Sequence, residues 1–262
     1  GNSMSLRVAL VQSELAWEAP LKNRLHFAEM LKPLAQSNQV TDLIILPEMF
    51  STGFSMASKK LAESMTGPTV TWMREQAFSL NSTLCGSVII EADGQYYNRF
   101  IWMPPSGVVE YYDKKHLFRM SAENENYTAG TARLVVTLKD FRICLQVCYD
   151  LRFPVWSRNN DDYDLLLYVA NWPAARRQHW RSLLRARAIE NLSYVIGVNR
   201  VGVDGTGIGY AGDSLAIDFN GLDMTDMGGD QGLASIQLER PALDDYRQSF
   251  PAWRDADVFQ LI

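Results

Sequence analysis

The sequence predicts a layered α/β domain built on a mixed sheet or sheets. Two observations carry that class: helical and strand-like apolar periodicities alternate along the chain, and several strand-like runs are joined by tight turns. Residues 6–11 alternate as a strand. Residues 20–36 place Leu21, Leu25, Ala28, Leu31 and Leu34 at helical spacing, with Pro33 positioned to kink or end the helix. The apolar run 42–46 stops at Pro47, so it reads as a fully buried strand delivering Glu48 at its C-terminal end. Residues 50–55 carry Gly53 between Phe50 and Phe54, which suits a loop lining a pocket. Val70, Met73, Ala77 and Leu80 then define a second amphipathic helix over 69–80, ended by Asn81.

Three strands follow, over 83–91, 96–103 and 108–112, and the turns 92–95 and 104–107 join them as a meander. Residues 123–130 read as a polar, irregular loop. Strands over 133–138 and 142–147 lead into Cys148; another, 164–170, ends at Asn171-Trp172-Pro173. An arginine-rich helix over 176–191 and a strand over 194–199 come next. The glycine-rich stretch 202–212 reads as a loop, and late strands are expected over 214–219 and 233–238. No internal repeat, low-complexity tract or linker interrupts the chain.

Gly1 to Ser3 precede Met4 and read as a tag remnant, which leaves 4–262 as one expected domain. After Met4 there is no signal-like segment, and no apolar run approaches the ~20 residues of a membrane span. The three widely spaced cysteines make no disulfide framework. A cytoplasmic protein without a membrane partner is expected. The net charge of −5, with both signs interspersed, argues against nucleic acid as a partner. An anionic substrate would need a local cluster of arginines.

Cys148 ends a buried strand and is followed by polar residues and Pro154, which presents its thiol at a turn. Burial in a core is the commoner fate of such a cysteine. A zinc site is a second alternative, with Cys144, His116 and His179 as further ligands. Four residues of strand separate Cys144 from Cys148 by roughly 13 Å, too far for one zinc. A cysteine that cleaves an amide needs a base, donors for the oxyanion and an acid for the leaving nitrogen. Glu48 either caps or pairs at the core edge, or, if desolvated, shuttles a proton. Tyr112, Lys114 and His116 share one face of an extended segment, so Lys114 can point inward while Lys115 points out. An inward ammonium is an oxyanion donor and would lower the pKa of a nearby thiol.

Leu46-Pro47-Glu48-Met49-Phe50, then residues 112–118 from Tyr112 to Phe118, then residues 148–154 from Cys148 to Pro154, resemble the three signatures of the carbon–nitrogen hydrolase (nitrilase) superfamily. Asn171-Trp172-Pro173, residues 185–191, residues 199–202 and Gly212-Asp213-Ser214 also resemble family landmarks. The segments 50–55 and 250–257 are most similar to the bacterial omega-amidase branch. The resemblance implies a four-layer α-β-β-α sandwich, assembled as a homodimer or higher homo-oligomer, with no cofactor and no metal. It implies Cys148 as nucleophile, Glu48 as general base and Lys114 as catalytic lysine. Glu123 matches a second glutamate that positions the lysine, with Glu125 as the alternative. The oxyanion would be held by Lys114 and the backbone N–H of Tyr149. Arg152 matches a substrate-carboxylate ligand, against the alternative of a salt bridge with Asp150, and Trp172 and Phe54 line the pocket. The segment 174–177 lacks the threonine pattern of some omega-amidases.

The expected reaction is hydrolysis of a small primary amide bearing a carboxylate, with alpha-ketoglutaramate or alpha-ketosuccinamate preferred. An N-carbamoyl amino acid or another amide is the alternative within the superfamily. A non-catalytic binding protein on the same fold is the alternative outside it.

Overall fold

Strand alternation divides the apolar residues of this chain between two sides of each sheet, and the result is a four-layer stack. The computed structural model describes residues 4–262, so the expected tag remnant, Gly1 to Ser3, lies outside the described residues. The first sheet takes β1 (Ser5–Gln12), β2 (Leu43–Ile45), β3 (Thr83–Ala92), β4 (Gln95–Met103) and β5 (Glu110–Asp113). The second takes β6 (Val135–Leu138), β7 (Phe141–Val147), β8 (Leu165–Val169) and β9 (Tyr194–Val198). A separate hairpin, β10 (Val201–Val203) and β11 (Gly209–Ala211), precedes β12 (Leu215–Ile217) and β13 (Asp223–Asp226), which complete the second sheet. β14 (Gly232–Glu239) returns to pair antiparallel with β1.

On β1, Leu6, Val8 and Leu10 face the second sheet, while Ala9 and Val11 face outward. The outward side packs against Phe27 and Leu31 of α1 (Pro20–Ala35), and against Val70, Met73 and Ala77 of α3 (Pro68–Leu80). Between these helices lies the single turn α2 (Ser58–Leu61). The second sheet is covered by Trp180, Leu184 and Ala188 of α6 (Arg177–Asn191). Each fully buried Val, Leu, Met or Phe among these contributes about 1.5–3 kcal/mol. Two more single turns, α4 (Glu123–Asn126) and α5 (Pro154–Ser157), and a C-terminal helix α7 (Arg240–Ser249) complete the chain. No helix among the described residues is long and apolar enough to cross a membrane.

Local chemistry explains the boundaries. α1 and α3 both open on proline, whose missing N–H costs nothing in a first turn. α3 ends at Asn81 in the left-handed conformation, φ 51°. The β3–β4 hairpin turns on Asp93 and Gly94, φ 52° and 75°, the signs a two-residue I′ turn requires.

Four expectations need correction. Leu31 is buried as expected, but Leu21 and Leu25 are 61% and 62% exposed; α1 buries Asn23 and Phe27 in their place, because Asn23 is drawn in to bond the backbone of Ala16 and Ser51. The stretch 202–212 is not a plain loop, since it carries most of the β10–β11 hairpin, with Asp204 bonding Thr206, Ile208 and Tyr210 at its tip. Residues 123–130 open with α4 rather than irregularly. The extended segment before the lysines ends at Asp113, so strand alternation does not govern the lysines themselves.

β1, β2 and β3 run parallel, as do β7, β8 and β9. Parallel strands deliver their C-terminal ends to one edge of a sheet, where open α/β sheets bind ligands. Glu48 follows β2, Cys148 follows β7 and Asn171 follows β8.

Candidate active site

Cys148 leaves β7 in the left-handed region, φ 45°, as the first residue of a 3-10 turn over 148–152. For a side chain with a Cβ this conformation costs about 1–2 kcal/mol, so the surroundings must hold it. Asp150 does so. Its fully buried carboxylate accepts from Val147 N at 3.0 Å, the Tyr112 hydroxyl at 2.7 Å and His116 N at 3.0 Å. The turn that carries the thiol is thereby tied to the segment that carries Lys114. The Cys148 Sγ lies 3.8 Å from the Asn171 carbonyl.

Glu48 is fully buried, and each of its carboxylate oxygens is engaged. Oε1 accepts from Asn171 N at 2.9 Å, whereas Oε2 accepts from Asn98 Nδ2 at 2.7 Å and Lys114 Nζ at 3.0 Å. The same ammonium reaches Glu123 Oε1 at 2.8 Å. Glu123 also accepts from Phe118 N at 2.6 Å, while Glu125 is exposed, so the glutamate beside the lysine is Glu123.

Burial is the strongest influence on Glu48 and raises its pKa above the ordinary carboxylate range; Lys114 opposes this and Glu123 adds to it. Burial works against the Lys114 charge as well, yet Glu123 and Glu48 hold its pKa above the usual lysine range. Cys148 departs from expectation. Lys114 does lower the thiol pKa, but burial, seconded by Glu48, raises it well above the ordinary value. Burial and the Glu48 charge thus favour the neutral thiol over the thiolate.

Above these groups lies a small cavity of about 50 Å³. Cys148, Lys114 and Asn171 line it from the sheets, and Phe54, Tyr149 and Trp172 give it aromatic walls. The β10–β11 hairpin adds Ile208 and Tyr210. Arg152 does not pair with Asp150; its Nη2 meets His179 Nδ1 at 2.9 Å and its guanidinium sits 4.8 Å over Trp172. Arg176 lies 5.5 Å over Phe118. Neither arginine has a carboxylate partner among the described residues, and no acid lines the cavity. Burial and then the charge of Arg176 lower the pKa of Arg152, since the two cations line the same cavity.

The structure thus brings Lys114, Cys148, Tyr149, Arg152, Trp172 and Phe54 around one cavity, with Glu48 and Glu123 buried behind it on the Lys114 ammonium. Sequence reasoning missed Asn98, Asp150, Asn171 as a ligand of Glu48, and Arg176. An asparagine in the inward row Asn98, Phe100, Trp102 of β4 was the available signal for the first. Cys144, four residues before Cys148, stays inside β7 in the core.

The description of the carbon-nitrogen hydrolase family matches residues 7–248. The chain belongs to that family. This carbon–nitrogen hydrolase is 46% identical to the omega-amidase YafV of Escherichia coli K12 over 259 residues, 98% of each chain. It is 28% identical over 257 residues to the 2-oxoglutaramate amidase of Bacillus subtilis, covering 96% of this chain and 98% of that one. Among solved structures it resembles XC1258 from Xanthomonas campestris, a CN-hydrolase superfamily protein with an arsenic adduct in its active site. The TM-score is 0.95 at 47% identity, over 98% of this chain and 99% of the other. The carbon–nitrogen hydrolase therefore has the expected α-β-β-α sandwich, with two six-stranded sheets between its helical layers.

Proposed function

We propose that this enzyme is an omega-amidase that releases ammonia from the terminal amide of a 2-oxo acid, with 2-oxoglutaramate as the preferred substrate. One observation carries the reading: a buried Glu48–Lys114–Cys148 cluster opens into a small cavity whose remaining charges are two arginines without acid partners. Relatives named for that activity, at 46% and 28% identity over nearly the whole chain, support the choice of substrate.

Glu48 takes the Cys148 proton as sulfur attacks the amide carbon. The oxyanion is held by the Lys114 ammonium and by Tyr149 N–H, which stands in the first turn of the 3-10 segment and has no intrahelical acceptor. Collapse breaks the C–N bond as the protonated Glu48 gives its proton to the leaving nitrogen, so ammonia departs and a thioester remains. Glu48 then takes a proton from water, whose oxygen attacks the thioester; the acid leaves and the thiol is restored. Glu123 fixes Lys114 throughout. Because Glu48 must be ionised to begin, activity falls as pH drops through its raised pKa, above the ordinary carboxylate range.

The far end of the substrate meets Arg152 and Arg176. Guanidinium groups clamp a carboxylate, and the neighbouring 2-oxo oxygen is a further acceptor. Glutamine would set an ammonium in the same place, against two cations. The three cysteines are free, in keeping with a reducing cytoplasm.

The test is ammonia release from 2-oxoglutaramate, glutamine and an N-carbamoyl amino acid, by wild type and Cys148→Ala. Release from the keto-amide above all, lost by at least about 1,000-fold in the variant, is expected. Preferential turnover of the carbamoyl compound would move the substrate, and an active Cys148→Ala would remove the nucleophile.

A further inference from the structure

We infer that Asn98 is the positioning residue of this site: its side-chain amide holds Glu48 and Glu123 on the two sides of one ammonium, leaving Glu48 poised as the base. The inference rests on the reading of Glu48 given above. The residue lies on β4, opposite Ile89 of β3, and is 1% exposed. Its Nδ2 donates to Glu48 Oε2 at 2.7 Å and to Glu123 Oε2 at 3.0 Å. Its backbone carbonyl accepts from Lys114 N at 3.0 Å. One residue therefore touches all three charged members of the cluster, and it does not line the cavity.

The orientation of the amide follows from chemistry. An NH₂ group offers two donors and nothing else, and it faces two acceptors; the flipped amide would press a carbonyl oxygen against two carboxylates. The cost is visible at the other end, where Oδ1 is buried without a partner. Packing gives no reason to bear it. Phe100 and Trp102 continue the same inward row into the intersheet core, and an apolar residue at 98 would extend that row. What an apolar residue cannot do is keep two buried carboxylates apart around a single cation. Without the two N–H donors, the cheapest relief for the pair is to keep a proton, and a Glu48 that keeps a proton cannot deprotonate the thiol.

The titratable groups that face Glu48 are Lys114, Glu123, Cys148 and Tyr127, whose hydroxyl donates to the Ser55 carbonyl at 2.5 Å. Asn98 is the neutral side-chain donor in that ring. Its contribution to Glu48 acts in the same sense as that of Lys114, toward ionisation.

The experiment compares wild type, Asn98→Leu, Asn98→Asp and Glu48→Gln by kcat and KM for 2-oxoglutaramate across pH, with thermal melting of each protein. For Asn98→Leu the acid limb of kcat/KM moves up by about one pH unit, a tenfold loss below the limb, while KM stays within about threefold. Asn98→Asp keeps the side-chain shape and moves the limb the same way by adding a third carboxyl group. An acid limb that stays in place in a folded variant, with only a lower kcat or melting temperature, would overturn the positioning role. Glu48→Gln separates the two ideas: inactivity there with unmoved Asn98 profiles sinks this inference alone, whereas full activity sinks the reading of Glu48 as base.

Discussion

The Cys148 thiol is buried and raised in pKa, so under the proposed mechanism its reactivity is borrowed from Glu48 at the moment of attack. That differs from cysteines activated in advance as thiolates by a nearby cation. It also explains why the carboxylate is kept dry: a carboxylate with a raised pKa takes the thiol proton more readily than an ordinary glutamate, and its conjugate acid is still acidic enough to protonate the leaving nitrogen. At the other end of the cavity, Arg176 is the residue that the proposed function assigns to substrate selection. Arg176→Gln is expected to raise KM for 2-oxoglutaramate about 10- to 100-fold with kcat within about threefold, as for loss of a charge-assisted hydrogen bond. Glutamine should lose less, because one repelling cation has gone. Steady-state kinetics on both amides check this, and a large fall in kcat with KM unchanged would place Arg176 outside the carboxylate site.

At the scale of elements, the site depends on how closely chain segments approach one another. Gly130 donates its N–H to the Lys114 carbonyl at 2.9 Å, pinning the segment after β5 from the outside. A Cβ at that position would stand 2.0 Å from the Asp113 carbonyl oxygen, a backbone atom that cannot step aside alone. Gly130→Ala must therefore push the end of β5 and carry Lys114 with it. We expect a loss of about 1–3 kcal/mol in stability and a fall in kcat larger than any change in KM. Urea denaturation beside kinetics tests it, and a variant as active and stable as wild type would show that this junction yields freely.

Across the whole molecule, Asp164 at the entrance of β8 gathers what the sandwich needs to close. It is fully buried and meets Arg142 of β7 at 3.0 Å, Arg240 at 2.6 Å and Arg247 at 2.7 Å, the last two from α7. Burial alone would raise its pKa, but the hydrogen bonds of Arg142 and Arg247 overcome this and hold it down at about 2. A depressed carboxylate pKa contributes stability that is full above the unfolded value of about 3.9 and is lost as pH falls toward 2. Asp164→Asn should cost about 2–3 kcal/mol at neutral pH and flatten the acid slope of stability in that window. Urea melts between pH 2 and pH 7 measure both, and a parallel slope in the variant would assign the acid sensitivity elsewhere.

Much of this protein was legible in its sequence because it is local. Alternating or continuous apolar runs marked β1, β3, β4, β7 and β8; Asn81 marked the end of α3; and the turns after β2 and β7 marked Glu48 and Cys148 as residues delivered at strand ends. The stacking of two sheets came from resemblance, since alternation says which side of a strand is apolar and not what covers it. Only the tertiary structure decided which face of α1 turns inward, that 202–212 carries most of a hairpin reaching the cavity, and that Glu123 rather than Glu125 meets the lysine. It also decided the sign of the thiol pKa. Each of these depends on groups brought together from distant parts of the chain, Asn98 with Glu48 and Glu123, or Asn171 with Glu48. Desolvation and charge act through distance in space, and a sequence records distance only along the chain.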